Sequence, residues 1–115
     1  MLRGQPAVIN GDGKQVRDFV FVGDVARANL AALERGNGIY NIGTGVPTDI
    51  NTIFGELAEA TRYTRAEEHG AAKLCEVRTT YLDVSLARRE LGWTPAVTLS
   101  DGLSQTVEYF RTRVS

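Results

Sequence analysis

A run of nineteen residues, GDGKQVRDFVFVGDVARAN at 11–29, constrains this chain more than any other stretch. Turn, apolar segment, buried-charge problem and helix start follow one another in it without a linker. Gly11-Asp12-Gly13 is turn chemistry, since glycine reaches the positive φ that other residues resist. Phe19-Val20-Phe21-Val22 is apolar on both faces, which predicts a short strand covered on both sides. Gly23-Asp24 ends it, and Asp24 suits an N-cap whose carboxylate accepts from the first free N–H groups. A helix rich in Ala and Leu is predicted over 25–35, with Gly36 as its C′ residue. Fold alone does not explain Arg17-Asp18, a charge pair set at the entrance to an apolar segment.

The rest of the chain alternates short elements. Residues 7–10 predict a strand, turned by 11–13 towards 16–22 as a hairpin. After a turn at 36–38, Ile39-Tyr40-Asn41-Ile42 predicts another strand. Thr48-Asp49 caps a second helix, in which Ile50, Ile53, Phe54, Leu57 and Ala58 fall on one face. Residues 62–74 are polar and read as a loop around a short strand at 66–68, and 76–82 as extended. Asp83 caps a third helix over 84–91, stopped by Gly92, and Trp93 anchors the turn that follows. Ser100 caps the last helix, with Leu103, Thr106, Val107 and Phe110 on its buried side. The expected fold is a small mixed α/β domain of short strands and about four helices.

Composition narrows the classes of function. In 115 residues, 13 basic and 14 acidic side chains give a net charge of -1, which lacks the basic excess of a nucleic-acid surface. No apolar run approaches the roughly 18 residues of a membrane helix, and no secretory signal pattern opens the chain. The single Cys75 cannot form an internal disulfide, so a cytoplasmic location is expected. With His69 it has no spacing that supports nucleophilic catalysis, and no Cys/His cluster suggests zinc. Gly43-Thr44-Gly45, between a predicted strand and a helix, invites a phosphate-loop reading. Pro47 interrupts it, a third glycine is missing, and the anionic Asp49 caps the helix, so a tight turn is the better reading.

The 11–29 run, followed by GIYNIGTG, YLDVSLARRELGWTP and LSDGLSQTVEYF, resembles the carboxyl-terminal part of extended short-chain dehydrogenase/reductase proteins. Within them it is most similar to NAD-dependent nucleotide-sugar epimerases/dehydratases of the UDP-glucose 4-epimerase type. The resemblance implies that Arg17, whose fork matches two phosphate oxygens, contacts a nucleotide diphosphate; a structural ion pair with Asp18 or another carboxylate is the alternative. It places Phe19 beside the nucleotide, although core packing is the better reading of that ring. Val46 matches a position lining the nucleotide pocket, or is an ordinary loop residue. Lys73 and Glu76 fall where relatives carry a phosphate-binding Arg and a ribose-binding acid. Lys73 keeps the charge without the planar fork, and Cys75 puts a Cβ where relatives have glycine.

Family catalysis requires a Tyr four residues before a Lys. Here Asn10 precedes Lys14 and His69 precedes Lys73 at that spacing, so the pair is missing. The chain is therefore expected to be a substrate-side portion, inactive alone, without a cofactor of its own and without the amino-terminal Rossmann domain that binds NAD in the complete enzyme. Its expected ligand is a nucleotide-sugar such as UDP-glucose, bound weakly. A stand-alone nucleoside-diphosphate binding module and a truncated remnant are the other readings. Phe19–Val22 and the helix after it look apolar on more faces than this chain covers, so self-association is expected.

Overall fold

Trp93 is 2% exposed in the computed structural model, which describes residues 1–114, and it anchors the buried apolar cluster. The ring packs with Ala28, Ala87 and Leu91, and Val20, Tyr40 and Ile42 close over them. Its indole N–H donates to the carbonyl of Asp24 at 2.9 Å, so the polar atom that this ring carries into the core is paired.

The elements run β1 (Val8–Asn10), β2 (Val16–Arg17), α1 (Val22–Arg35), β3 (Thr48–Asp49), α2 (Ile50–Thr61), β4 (Glu68–Gly70), α3 (Ser85–Leu91) and α4 (Leu99–Arg111). They make the small α/β arrangement of short strands and four helices expected from the sequence. β1 pairs with β4 in parallel, Val8 opposite Glu68, and β2 pairs with β3 antiparallel, Val16 opposite Asp49. α1 packs on α3, and α2 on α4.

The predicted hairpin does not form. Gly11 and Gly13 do turn the chain, at φ 73° and 72°, but they deliver β2 away from β1. The edge of β1 is taken by β4, which lies at 68–70 instead of 66–68, and Gly11 N–H extends that pairing to the Gly70 carbonyl at 3.0 Å. β2 is held on its other side by residues 78–80: Val16 N–H donates to Arg78 and Thr80 N–H donates back to Val16. That contact, an isolated bridge at Thr79, is what remains of the extended segment expected over 76–82.

Phe19–Val22 is not a strand either. α1 begins at Val22, three residues before the predicted start, and Asp24 falls inside its first turn. It caps nothing; its carboxylate is used in tertiary structure. Gly36 has φ -68° in place of the expected left-handed turn. Residues 39–42 pair with no strand among the described residues, and a strand needs a neighbour's ladder. Tyr40 and Ile42 pack on the core, Tyr40 Oη donates to Glu90 at 3.0 Å, and Ile39 stands 94% exposed.

The later helices follow the sequence more closely. Asp49 accepts from Thr52 N–H at 2.7 Å and caps α2, as expected. Gly92 ends α3 at φ 63° as expected, but the helix opens at Ser85, so Val84 takes the cap position and Asp83, one residue before it, accepts from Ser85 N–H. For α4 the cap is Thr98, not Ser100, because the helix opens two residues earlier. Val107 is buried as predicted, while Phe110 is 49% exposed.

That exposure follows from shape. The principal extents are 46 × 35 × 18 Å, so the thin dimension is less than two helix diameters of about 10–12 Å. The radius of gyration, 16.3 Å, exceeds the roughly 13 Å of a compact domain of this length. A slab buries one face of each helix. On α1, Val22, Leu30 and Leu33 stay 73%, 64% and 85% exposed.

Asp24 holds this slab together at its core. The residue is 2% exposed, and its carboxylate accepts from Arg27 at 2.7 Å and from the N–H groups of Ala96 and Val97 at 3.1 Å each. Burial pushes its carboxyl pKa up, but Arg27 and the two amides outweigh that and hold it below the usual carboxylate range. Asp24→Ala leaves those donors without a partner and is expected to cost about 3 kcal/mol in urea unfolding. The wild-type contribution should be complete above the unfolded carboxyl pKa, about 3.9, and disappear as pH falls through the lower folded value. Denaturation curves from pH 7 to pH 2 check this, with the acid-side loss reduced in the variant.

Candidate functional site

Arg17 closes β2, pairing with Thr48 of β3 on one side, while Val16 before it is held by residues 78–80 on the other. Nη1 donates to the carbonyl of Val16 at 2.7 Å, and Nη2 lies 3.3 Å from Glu76 Oε1. The two residues predicted to bind opposite ends of a nucleotide are thus brought together from 59 positions apart. Both side chains are about one-third exposed or less. Of the structural ion pair expected as the alternative, the form with Asp18 does not occur, and the form with another carboxylate does, since Arg17 pairs with Glu76.

Glu76 and Lys73 line a cavity of about 260 Å³ between the turn at 10–12 and the loop at 72–78. Its far wall is tied by Asp12, whose two carboxylate oxygens accept from Arg78 Nη1 and Nη2, each at 2.8 Å. This bidentate pair, together with the Lys14 N–H, holds the Asp12 carboxyl well below the usual range. Cys75 takes φ 60°, the left-handed conformation that glycine adopts without a Cβ penalty. Beside this wall His69 sets Nδ1 2.7 Å from the Gly11 carbonyl and Nε2 3.3 Å from Glu67, which raises its pKa.

The other two predicted residues lie elsewhere. Phe19 lines a separate apolar groove of about 570 Å³ with Phe21, Leu99, Tyr109 and Phe110, between the start of α1 and α4. Val46 is 58% exposed on the loop before β3. The structure therefore pairs Arg17 with Glu76, sets Lys73 with Glu76 on the wall of a cavity that Arg17 does not line, and leaves Phe19 and Val46 apart from both.

Asp18 is the residue that sequence reasoning missed. Its carboxylate accepts from Thr44 N–H at 2.8 Å, Thr44 Oγ1 at 2.7 Å, Gly45 N–H at 2.9 Å and Leu82 N–H at 3.3 Å. Burial pushes its carboxyl pKa up, and these donors more than offset it, leaving the group below its usual value. Gly43 makes the approach possible: a Cβ there would lie 2.7 Å from Asp18 Oδ2 and 3.0 Å from Leu82. The available signal was a glycine-flanked amide loop together with an unexplained acid; the two were not connected.

Residues 1–43 match the model of the NAD dependent epimerase/dehydratase family. The UDP-glucose 4-epimerase of Mycolicibacterium smegmatis is 37% identical over 98% of this chain and 37% of its own length. A UDP-glucose 4-epimerase of Thermotoga maritima, solved with UDP-glucose, is 46% identical, with TM-score 0.97 over 100% of this chain and 38% of that one. The chain corresponds to the carboxyl-terminal part of NAD dependent epimerase/dehydratase proteins. It spans little more than a third of the relatives it matches, 36% and 37% for the first two. A dTDP-glucose 4,6-dehydratase of Xanthomonas campestris is 31% identical over 96% of this chain, so the shared segment serves family members named for different reactions.

For an epimerase/dehydratase segment the question of NAD arises, and the loop at 43–45 does not fit its pyrophosphate. The glycine-flanked loop at residues 43–45 already donates to Asp18, and a pyrophosphate cannot take the same N–H groups. Among the described residues there is also no cluster that could hold a metal ion. Asp18→Ala should release the loop, costing about 2 kcal/mol and speeding hydrogen exchange at Thr44 and Gly45. Exchange rates equal to wild type would show that the carboxylate is not what orders residues 43–45.

Proposed function

We propose that this chain is the substrate-side portion of a nucleotide-sugar epimerase of the UDP-glucose 4-epimerase kind. On this reading Arg17 pairs with the diphosphate, Lys73 adds a second positive charge, and Glu76 accepts from ribose hydroxyls. The sugar and the hydride chemistry belong to an NAD-binding portion that this chain does not supply. The observation that carries the proposal is the meeting of Arg17 with Glu76 beside a cavity lined by Lys73, none of them near another in sequence except the last two. A planar fork, a second cation and a carboxylate acceptor form the donor–acceptor set a ribosyl diphosphate needs. The named relatives and the UDP-glucose complex support the choice of ligand class. Holding the nucleotide at a distance from the reacting carbon is how remote binding energy orients a substrate. A reducing, cytoplasmic compartment suits the exposed, free Cys75 thiol.

Calorimetry with UDP should give a dissociation constant no tighter than about 0.1 mM, because half of a cleft buries only part of its ligand. Arg17→Ala should weaken it roughly tenfold or more, the loss of one charge-assisted fork. Mixed with NAD and UDP-glucose, the chain should form no UDP-galactose. Turnover would overturn the inactive-portion reading, and micromolar binding that Arg17→Ala abolishes would favour a stand-alone binding module.

The uncovered apolar surface carries a second consequence. The groove lined by Phe19 and Phe110, continuous with exposed Val22, lies on a face this slab leaves open. Sedimentation at increasing concentration should show reversible self-association, and Tyr109→Glu, placed in the groove wall, should reduce it. A monomer at millimolar concentration would contradict the prediction.

A further inference from the structure

We infer that Glu76 acts as an internal substitute for phosphate at Arg17, so that a nucleoside diphosphate binds by exchange with it and not by simple addition. The inference rests on the reading of the site given above and adds how the two charges trade partners.

Three observations carry it. Nη1 of Arg17 is committed to the Val16 carbonyl at 2.7 Å, which aims the guanidinium and leaves Nη2 as the arm directed at Glu76. A phosphate oxygen approaching along the Nη2 N–H that faces Glu76 competes with the carboxylate already there. The contact is also long, 3.3 Å through one oxygen, against roughly 2.7–2.9 Å for a well-made charge-assisted bond. Finally, the same loop carries a contrasting pair: Arg78 and Asp12 meet through both oxygens at 2.8 Å. One ion pair fixes the loop to the turn at 12. The other, two residues away, is loose enough to open.

Exchange gives Glu76 two successive partners. Before binding it neutralises Arg17; after binding it accepts from ribose hydroxyls while phosphate takes the guanidinium. A ligand with ribose recovers the broken contact, whereas pyrophosphate alone breaks it without recompense. Exposed pairs of this kind shift equilibria by roughly two- to fivefold.

The test is Glu76→Gln, a near-isosteric change on an exposed loop, titrated with pyrophosphate and with UDP beside wild type. Pyrophosphate should bind roughly two- to fivefold tighter to the variant, while UDP should gain nothing or lose affinity, so the two ligands move apart. An equal gain for both ligands would mean that Glu76 merely repels anions, and would overturn exchange. So would an unchanged pyrophosphate affinity. If wild type binds UDP and Arg17→Ala weakens it, those failures touch the exchange alone. If wild type fails to bind UDP at millimolar concentration, the reading of the site fails and the exchange falls with it.

Discussion

The carboxylate of Asp18 is the constraint on which the site depends. Three segments distant in sequence meet on it: the exit of β2, the loop at 43–45 and the backbone at Leu82. Four donors around one carboxylate cannot be rearranged piecemeal, because any one left alone in a partly buried place costs about as much as a lost hydrogen bond. Asp18 adjoins Arg17 in the chain, so fixing one backbone fixes the other. The guanidinium then needs only its bond to Val16 to point at Glu76. A negative charge spent on structure thus aims the positive charge beside it.

A second carboxylate does the same work some way along. Asp24 joins α1 to the segment at 96–97 that leads into α4, with Trp93 donating to its carbonyl. Together these residues explain how a slab 18 Å thick keeps a defined shape with few buried side chains. Polar connections of high sequence separation replace part of the core that a rounder domain would have. The same thinness leaves the α1 face and the groove at Phe19 open, which ties the exposed apolar surface to architecture and not to chance substitutions.

Much of this was legible in the residues, and the failures are specific. Helices announced themselves through local chemistry: the stripe of α2 with its Asp49 cap, and the Gly92 stop of α3, depend on neighbours within a few positions. The strands did not, because a two- or three-residue strand is defined by its partner. β1 prefers β4, sixty residues on, to the nearby β2, and the apolar run at 19–22 is spent on a helix start and a groove. Asp24 looks locally like a cap and Asp18 like half of an ion pair; in both cases a distant donor won. Arg17, Lys73 and Glu76 were picked out through resemblance in pattern, and the pairing of Arg17 with Glu76 emerges only when β2 and the loop at 72–78 are folded against each other. Phe19 shares the motif but not the place.

The account stands or falls on where a nucleoside diphosphate touches the chain. Titrating the isotope-labelled protein with UDP and following backbone and Arg17 side-chain resonances by NMR reads this directly. The shifts should gather at residues 10–17 and 72–78, with the Arg17 guanidinium moving most. Shifts gathered on the groove at 19–22 and 99–110, or on the loop at 43–45, would contradict it.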